Sequence, residues 1–273
     1  MDDGLAVATL PTNTDIHTPA TSPITGATPA PGSVADTMRI HSFHLATVPP
    51  TTAASALFRS SNGPRDDGVP GPTHIEHLSV MQLGAPAISF ERLQLRRVAV
   101  FAQWESEGAL DDYLGATPLG RHLAQGWHVR LEFVRRWGAV TGLHRLPLNA
   151  STMEPEEPVV AVTLAHLKLP QLRRFFHWGR PVEQLVRDSP GTTLALAAVR
   201  PPRTFSTFTI WNSVGAMRAM VEGHGSGHSP QRHATAMAER EREDFHFEFT
   251  TLRFRPLSEH GEWEGRRGIV PTG

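Results

Sequence analysis

Imidazole is the side chain in this sequence best suited to chemistry. There are fifteen histidines and no cysteine, which removes thiolate metal sites, disulfides and cysteine nucleophiles and leaves histidine as the nitrogen ligand and neutral-pH base. His224 and His228 stand four apart, a spacing that places two metal ligands on one face of a helix. Gly225, Gly227 and Pro230 work against a helix there, so the segment reads better as a loop over a pocket. His41 and His44, and likewise His74 and His77, are three apart in strand-like segments. In a strand such residues point to opposite faces, so neither pair chelates from one side and at most one member of each lines a pocket. His128 and His246 read as structural histidines.

Two further side-chain classes bear on a binding site. Trp104 and Trp211 could wall a cofactor or an apolar ligand, or serve as core. Arg253 and Arg255 could neutralise a carboxylate, or face solvent. No Gly-x-Gly-x-x-Gly, phosphate loop, nucleophile elbow or His-Glu-x-x-His occurs, so dinucleotide, nucleoside-triphosphate, serine-hydrolase and zincin chemistry lose their usual entry points. A formal net charge of -1 supplies no field to gather nucleic acid or an anionic membrane, and is easier to reconcile with a neutral ligand. With no apolar run of membrane-spanning length and no secretory leader, a cytoplasmic protein without a membrane span is expected. Homo-oligomerisation is left open.

The elements that must position these residues follow from periodicity. Residues 1–36, rich in Thr, Pro, Ala and Gly, read as a disordered tail. Strands are expected at 39–47, 74–83, 97–104 and 127–134, with helices at 51–58 and from Glu107, capped by Ser106, to about Ala124. After a Pro/Glu linker the order returns: strand 159–167, helix 170–187, strands 192–200 and 204–211, a helix beginning at Val214, and a strand at 245–254. The expected halves are 37–150 and 151–257, followed by a polar extension, 258–273, on the surface.

The two halves echo one another. Phe101, Trp104, Ser106, Gly108 and Ala109 recur 107 positions later as Phe208, Trp211, Ser213, Gly215 and Ala216. Arg121-His122 is echoed by Arg232-His233, and Trp127-His128 by Phe245-His246 at the head of each last strand. A βαββαβ unit forms a four-stranded antiparallel sheet with both helices on one face. Two such units can bury their bare faces against each other. The expected fold is therefore α+β, a tandem duplication of a ferredoxin-like unit forming an intramolecular barrel.

The pattern Trp104/Ser106/Ala109/Leu110/His122, repeated as Trp211/Ser213/Ala216/Met217/His233, resembles the dimeric α+β barrel superfamily, which includes antibiotic-biosynthesis-type monooxygenases and several heme enzymes. The second half, through Val159 to Leu164, Pro190 to Thr193, Thr204 to Trp211 and Arg253-Phe254-Arg255, resembles the spheroidene monooxygenase group. That resemblance implies a pocket between sheet and helices, heme, and an oxygenase acting on an apolar molecule. It implies His233 as the iron ligand, His122 as its counterpart in the other half, and Trp211, Trp104 and Arg253 around the cofactor. Either histidine could instead be structural. A cofactor-free monooxygenase and a non-catalytic ligand-binding barrel are the alternatives on the same fold.

Overall fold

The computed structural model describes residues 39–58, 71–81, 93–221 and 244–272. The first half runs β1 (Ile40–Thr47), α1 (Pro50–Phe58), β2 (His74–Met81), β3 (Leu93–Trp104), α2 (Glu107–Ala116), α3 (Pro118–Gln125) and β4 (Trp127–Ala139). The second runs β5 (Val159–Leu167), α4 (Leu172–Arg187), β6 (Thr192–Arg200), β7 (Thr204–Trp211), α5 (Val214–Val221) and β8 (His246–His260).

Where one helix was expected from Glu107 to about Ala124, there are two. Pro118 holds Thr117 in extended backbone, and the Thr117 hydroxyl then caps the new helix by accepting from the Gly120 N–H at 2.9 Å. Ser106 and Ser213 cap α2 and α5 in the same way, accepting from Ala109 at 3.2 Å and from Ala216 at 3.0 Å.

The eight strands close into one antiparallel barrel, in the order β1-β3-β2-β6-β7-β5-β8-β4. Each half keeps the ferredoxin-like order internally. The halves are sewn together where the second strands meet (β2 with β6) and where the last strands meet (β4 with β8). Equivalent strands thus pair with each other, the self-complementary contact that a two-fold relation requires.

Alternation along each strand sorts side chains between lumen and helix-facing surface. The lumen holds Phe43 stacked on Phe208, with ring centroids 3.6 Å apart, together with Phe101, Trp127, Phe254 and aliphatic neighbours. His41 also points inward, ringed by Phe101, Phe133 and Phe254. His74 lies inside too, 3.4 Å from Glu76, which meets Arg200 at 2.8 Å. The partners of the two sequence pairs, His44 and His77, are buried and lie on the helix-facing side, as strand geometry demands.

The end of the chain is less peripheral than its composition suggests. Residues 258–260 continue β8, and Trp263 and Ile269 are buried in the lumen cluster. Glu259 fixes this segment by accepting from the Trp127 indole at 2.7 Å and from the Ile269 and Val270 amides. The extension lies largely on the surface, as its polarity suggests, but Trp263 and Ile269 anchor it to the barrel.

The β4–β8 ladder carries two irregularities, one residue inserted on each strand: Leu257 of β8 between the pairs Arg130↔Ser258 and Leu131↔Pro256, and Val134 of β4 between Phe133↔Phe254 and Arg135↔Arg253. Each shifts the alternation by one residue. Beyond its bulge, β4 presents Arg135 and Trp137 to the helix-facing side of the C-terminal half, and β8 presents Ser258 and His260 to that of the N-terminal half.

Candidate functional site

Register fixes which positions of the two halves correspond. Ile40 pairs with Trp104 as Val159 pairs with Trp211, so Ser42 corresponds to Ala161 and His44 to Thr163. Ser42 and His44 face Arg130 and His128, while Ala161 and Thr163 face Arg253 and Thr251. Arg130 and Arg253 are thus counterparts. The echo of Trp127-His128 in Phe245-His246 does not survive this register. His246 pairs with Leu167, and β8 starts several residues earlier than β4.

On the N-terminal side the helix-facing surface is filled. Trp104, Tyr113, Leu110 and Leu123 pack on it, and the Trp104 indole donates to Ser42 Oγ at 2.8 Å. His44 Nε2 also meets Ser42 Oγ at 2.8 Å. His44, His128 and His260 stack along one cross-strand row, with centroids 4.9 and 4.7 Å apart. Burial, reinforced by neighbouring imidazoles and Arg130, holds His44 well below the usual histidine range and His128 at about 4. Stacked rings do not converge their nitrogens, and among the described residues no group of three or more His, Asp or Glu is placed to hold a metal. Arg130 is neutralised locally, by Glu107 at 2.9 Å and Asp111 at 2.5 Å, both on α2.

The C-terminal side is built of different material. Its floor is a hydroxyl row, Thr207, Thr163 and Thr251, with Thr163 and Thr251 oxygens 3.5 Å apart. Thr209 accepts from the Trp211 indole at 2.9 Å. Beside this floor Arg253 is only 3% exposed. Its guanidinium lies 5.0 Å from the ring centre of Trp137, and Arg135 lies 4.1 Å from the same ring. Arg253 Nε and Nη2, Arg135 Nε and Trp137 Nε1 are all buried with no hydrogen-bond partner among the described residues. Every one is a donor. Burial, then the charges of Arg135 and of Arg218 on α5, lower the Arg253 pKa to about 9. Together they form an electropositive set of donors suited to an acceptor-rich group.

The residues singled out from sequence are therefore dispersed. Trp104 and Trp211 each sit buried beneath the helices of their own half, and His122 lies half-buried on α3. Arg253 lies at the donor cluster, whereas Arg255 is occupied by Glu132 and Glu157 at 2.7 and 2.9 Å. His233, His224 and His228 fall outside the described residues. Arg135, Trp137 and Arg218 were not anticipated. A signal for Arg218 existed: at the 107-residue spacing it occupies the position of Asp111, and Val214 that of Glu107.

No family model matches the chain. The spheroidene monooxygenase of Rubrivivax gelatinosus is 28% identical over 174 residues, 63% of this chain and 64% of that protein. That of Rhodobacter capsulatus is 26% identical over 176 residues, 62% of this chain and 70% of that protein. The chain thus spans less than two-thirds of the length of the Rubrivivax protein. Among solved structures, an aldoxime dehydratase in complex with butyraldoxime aligns over 81% of this chain and 79% of its own, at 8% identity and TM-score 0.43. A ferredoxin-fold protein from Listeria monocytogenes related to antibiotic-biosynthesis monooxygenases aligns over 81% and 96%, at 10% identity and TM-score 0.27. A heme-degrading enzyme from Listeria monocytogenes aligns over 78% and 98%, at 9% identity and TM-score 0.24. In sequence the chain is similar to the spheroidene monooxygenases, and in fold it is an α+β barrel of the dimeric, ferredoxin-like type.

Proposed function

We propose that the protein is a heme-dependent oxygenase-type oxidoreductase acting on an apolar small molecule held against the helix-facing side of its C-terminal half. The observation that carries this reading is the similarity to two spheroidene monooxygenases over about 175 residues. The location is supported by the contrast in charge between the faces, since Arg130 meets Glu107 and Asp111, whereas Arg253 has Arg135 and Arg218 as its charged neighbours and keeps Nε and Nη2 buried without an acceptor among the described residues.

Heme bears two carboxylates, and the guanidinium of Arg253, whose Nε and Nη2 have no acceptor among the described residues, fits one of them. Arg135 would assist at the same carboxylate from the neighbouring strand, with Trp137 holding both guanidinium planes. Trp211, Val214 and Met217, all buried, would keep water from the apolar part of the ligand. His233 is the proposed iron ligand, with His122 its counterpart in the other half. When bound, heme would supply activation of oxygen or peroxide.

Protein produced with a heme precursor should show a Soret band that His233→Ala removes or shifts and His122→Ala leaves unchanged. Absence of the band, or a band indifferent to His233→Ala, overturns the heme assignment. Product formation by heme-free protein would select the cofactor-free oxygenase instead.

A further inference from the structure

We infer that the β4–β8 junction is a dedicated anion site, in which Arg253, Arg135 and Trp137, with Arg218 at the rim, bind the carboxylate of an otherwise apolar ligand. This deepens the reading above by naming the ligand's recognised group, and rests on that reading only for the location of the pocket.

Three independent observations converge. The first is hydrogen-bond satisfaction. Four buried N–H donors, on three side chains of adjacent strands, have no acceptor among the described residues. Buried donors left unpaired are costly, and a group that accepts from several at once would satisfy them together. The second is charge. Arg253 feels Arg135 and Arg218 as its electrostatic neighbours. The third is the comparison inside the chain. The counterpart arginine, Arg130, meets Glu107 and Asp111, and at those two helix positions the C-terminal half carries Val214 and Arg218. Next to Arg130 the partner strand places Ser258, and next to Arg253 it places Arg135. One half therefore carries its own counter-charges, whereas the other has discarded them and added cations.

A carboxylate suits this geometry better than a lone halide, because two guanidinium forks offer parallel donors to a planar pair of oxygens. Ala161, Val214 and Met217 belong to the apolar cluster of the same half, so the remainder of the ligand is apolar. Such a carboxylate could belong to a porphyrin cofactor or to a long-chain apolar acid. The shared chemistry is the anionic end.

Calorimetric titration of the full chain with hexadecanoate, methyl hexadecanoate, protoporphyrin IX and its dimethyl ester separates these cases. Whichever acid binds should do so at least about tenfold more tightly than its ester, the difference expected when charge-assisted hydrogen bonds are lost. Binding of hexadecanoate alone assigns the site to an apolar acid and of protoporphyrin IX to a cofactor; the first result would stand even if no Soret band ever formed. Arg253→Gln should weaken the acid about tenfold or more and leave the ester unchanged. The double variant Val214→Glu/Arg218→Asp, which copies the acids of α2, should abolish the preference for acid over ester. Neither acid binding, esters binding as tightly as acids, or the double variant retaining the acid preference would each overturn the site.

Discussion

The two helix-facing surfaces are built on one scaffold and end in opposite states. Around Arg130 the N-terminal half gathers two carboxylates and a row of stacked histidines, and it supplies that arginine's counter-charges itself. Around Arg253 the C-terminal half gathers two more arginines and a tryptophan over a threonine floor, and its donors await an acceptor. Since the backbone scaffold is shared, the difference lies in a few side chains at corresponding positions. Incompleteness of this kind has a stability cost, and proteins retain it chiefly at functional sites.

The largest expected effect tests whether the faces are equally well packed. Trp104→Ala and Trp211→Ala each remove a fully buried indole whose N–H is satisfied, so each should cost about 3–5 kcal/mol in denaturant unfolding. A clearly smaller loss for Trp211→Ala would mean that its surroundings are looser, sharpening the contrast. A smaller loss for Trp104→Ala would break it.

Next in size is the response to acid, which should arise mainly from the N-terminal face and the lumen. His44, His128 and His41 have folded pKa values below the ordinary 6.5, the latter two at about 4 and about 3, with burial as the leading cause. Between those values and 6.5 the unfolded chain binds more protons than the folded one, so stability rises with pH. It is fully present above about 6.5 and declines as pH falls toward 4, on the order of 2–3 kcal/mol each for His128 and His41. Replacing His44 and His128 by threonine, the residue found at both corresponding positions of the other half, should flatten this slope in unfolding free energies measured from pH 7 to 4. An unchanged slope would locate the acid sensitivity elsewhere.

The smallest effect probes the counter-charges themselves. Glu107→Gln with Asp111→Asn strips Arg130 of its partners, but both carboxylates are more than half exposed, so the loss should stay within about 1 kcal/mol. The informative measurement is binding. The N-terminal face should acquire weak, salt-sensitive affinity for hexadecanoate, and its failure to do so would show that the cations of the other half matter more than the absence of acids.

The scaffold was largely legible in the sequence. Alternation placed all eight strands, Ser106 announced its helix, and the recurrence of Trp-x-Ser located the corresponding elements. The break at Thr117-Pro118 was written in the sequence too, since proline restricts the residue before it, yet the helical periodicity on either side masked it. The site was legible only in part. Arg253 could be singled out by type, but its burial depends on Arg135 and Trp137, more than a hundred positions earlier, and on a ladder that no local pattern reveals. Strict alternation from Trp127 onward would have sent Arg135 and Trp137 into the lumen. The bulge at Val134 reverses them, and nothing about a single valine advertises it.

Those paired bulges give the barrel a frame that can be shifted by a single residue. Deleting Val134 would simply close its bulge, since Arg135 would then follow Phe133 and keep its side; pairing Val134 in regular register with Arg253 would instead carry a cation and an indole into a lumen already packed with phenylalanines. Pairing Leu257 in regular register with Arg130 would likewise send His260 to the lumen and turn Glu259 away from the Trp127 indole. The two surfaces, so different in chemistry, thus share one vulnerability, the slip of a bulged strand into regular register, and side-chain divergence between them has proceeded within a backbone pairing that neither half can alter alone.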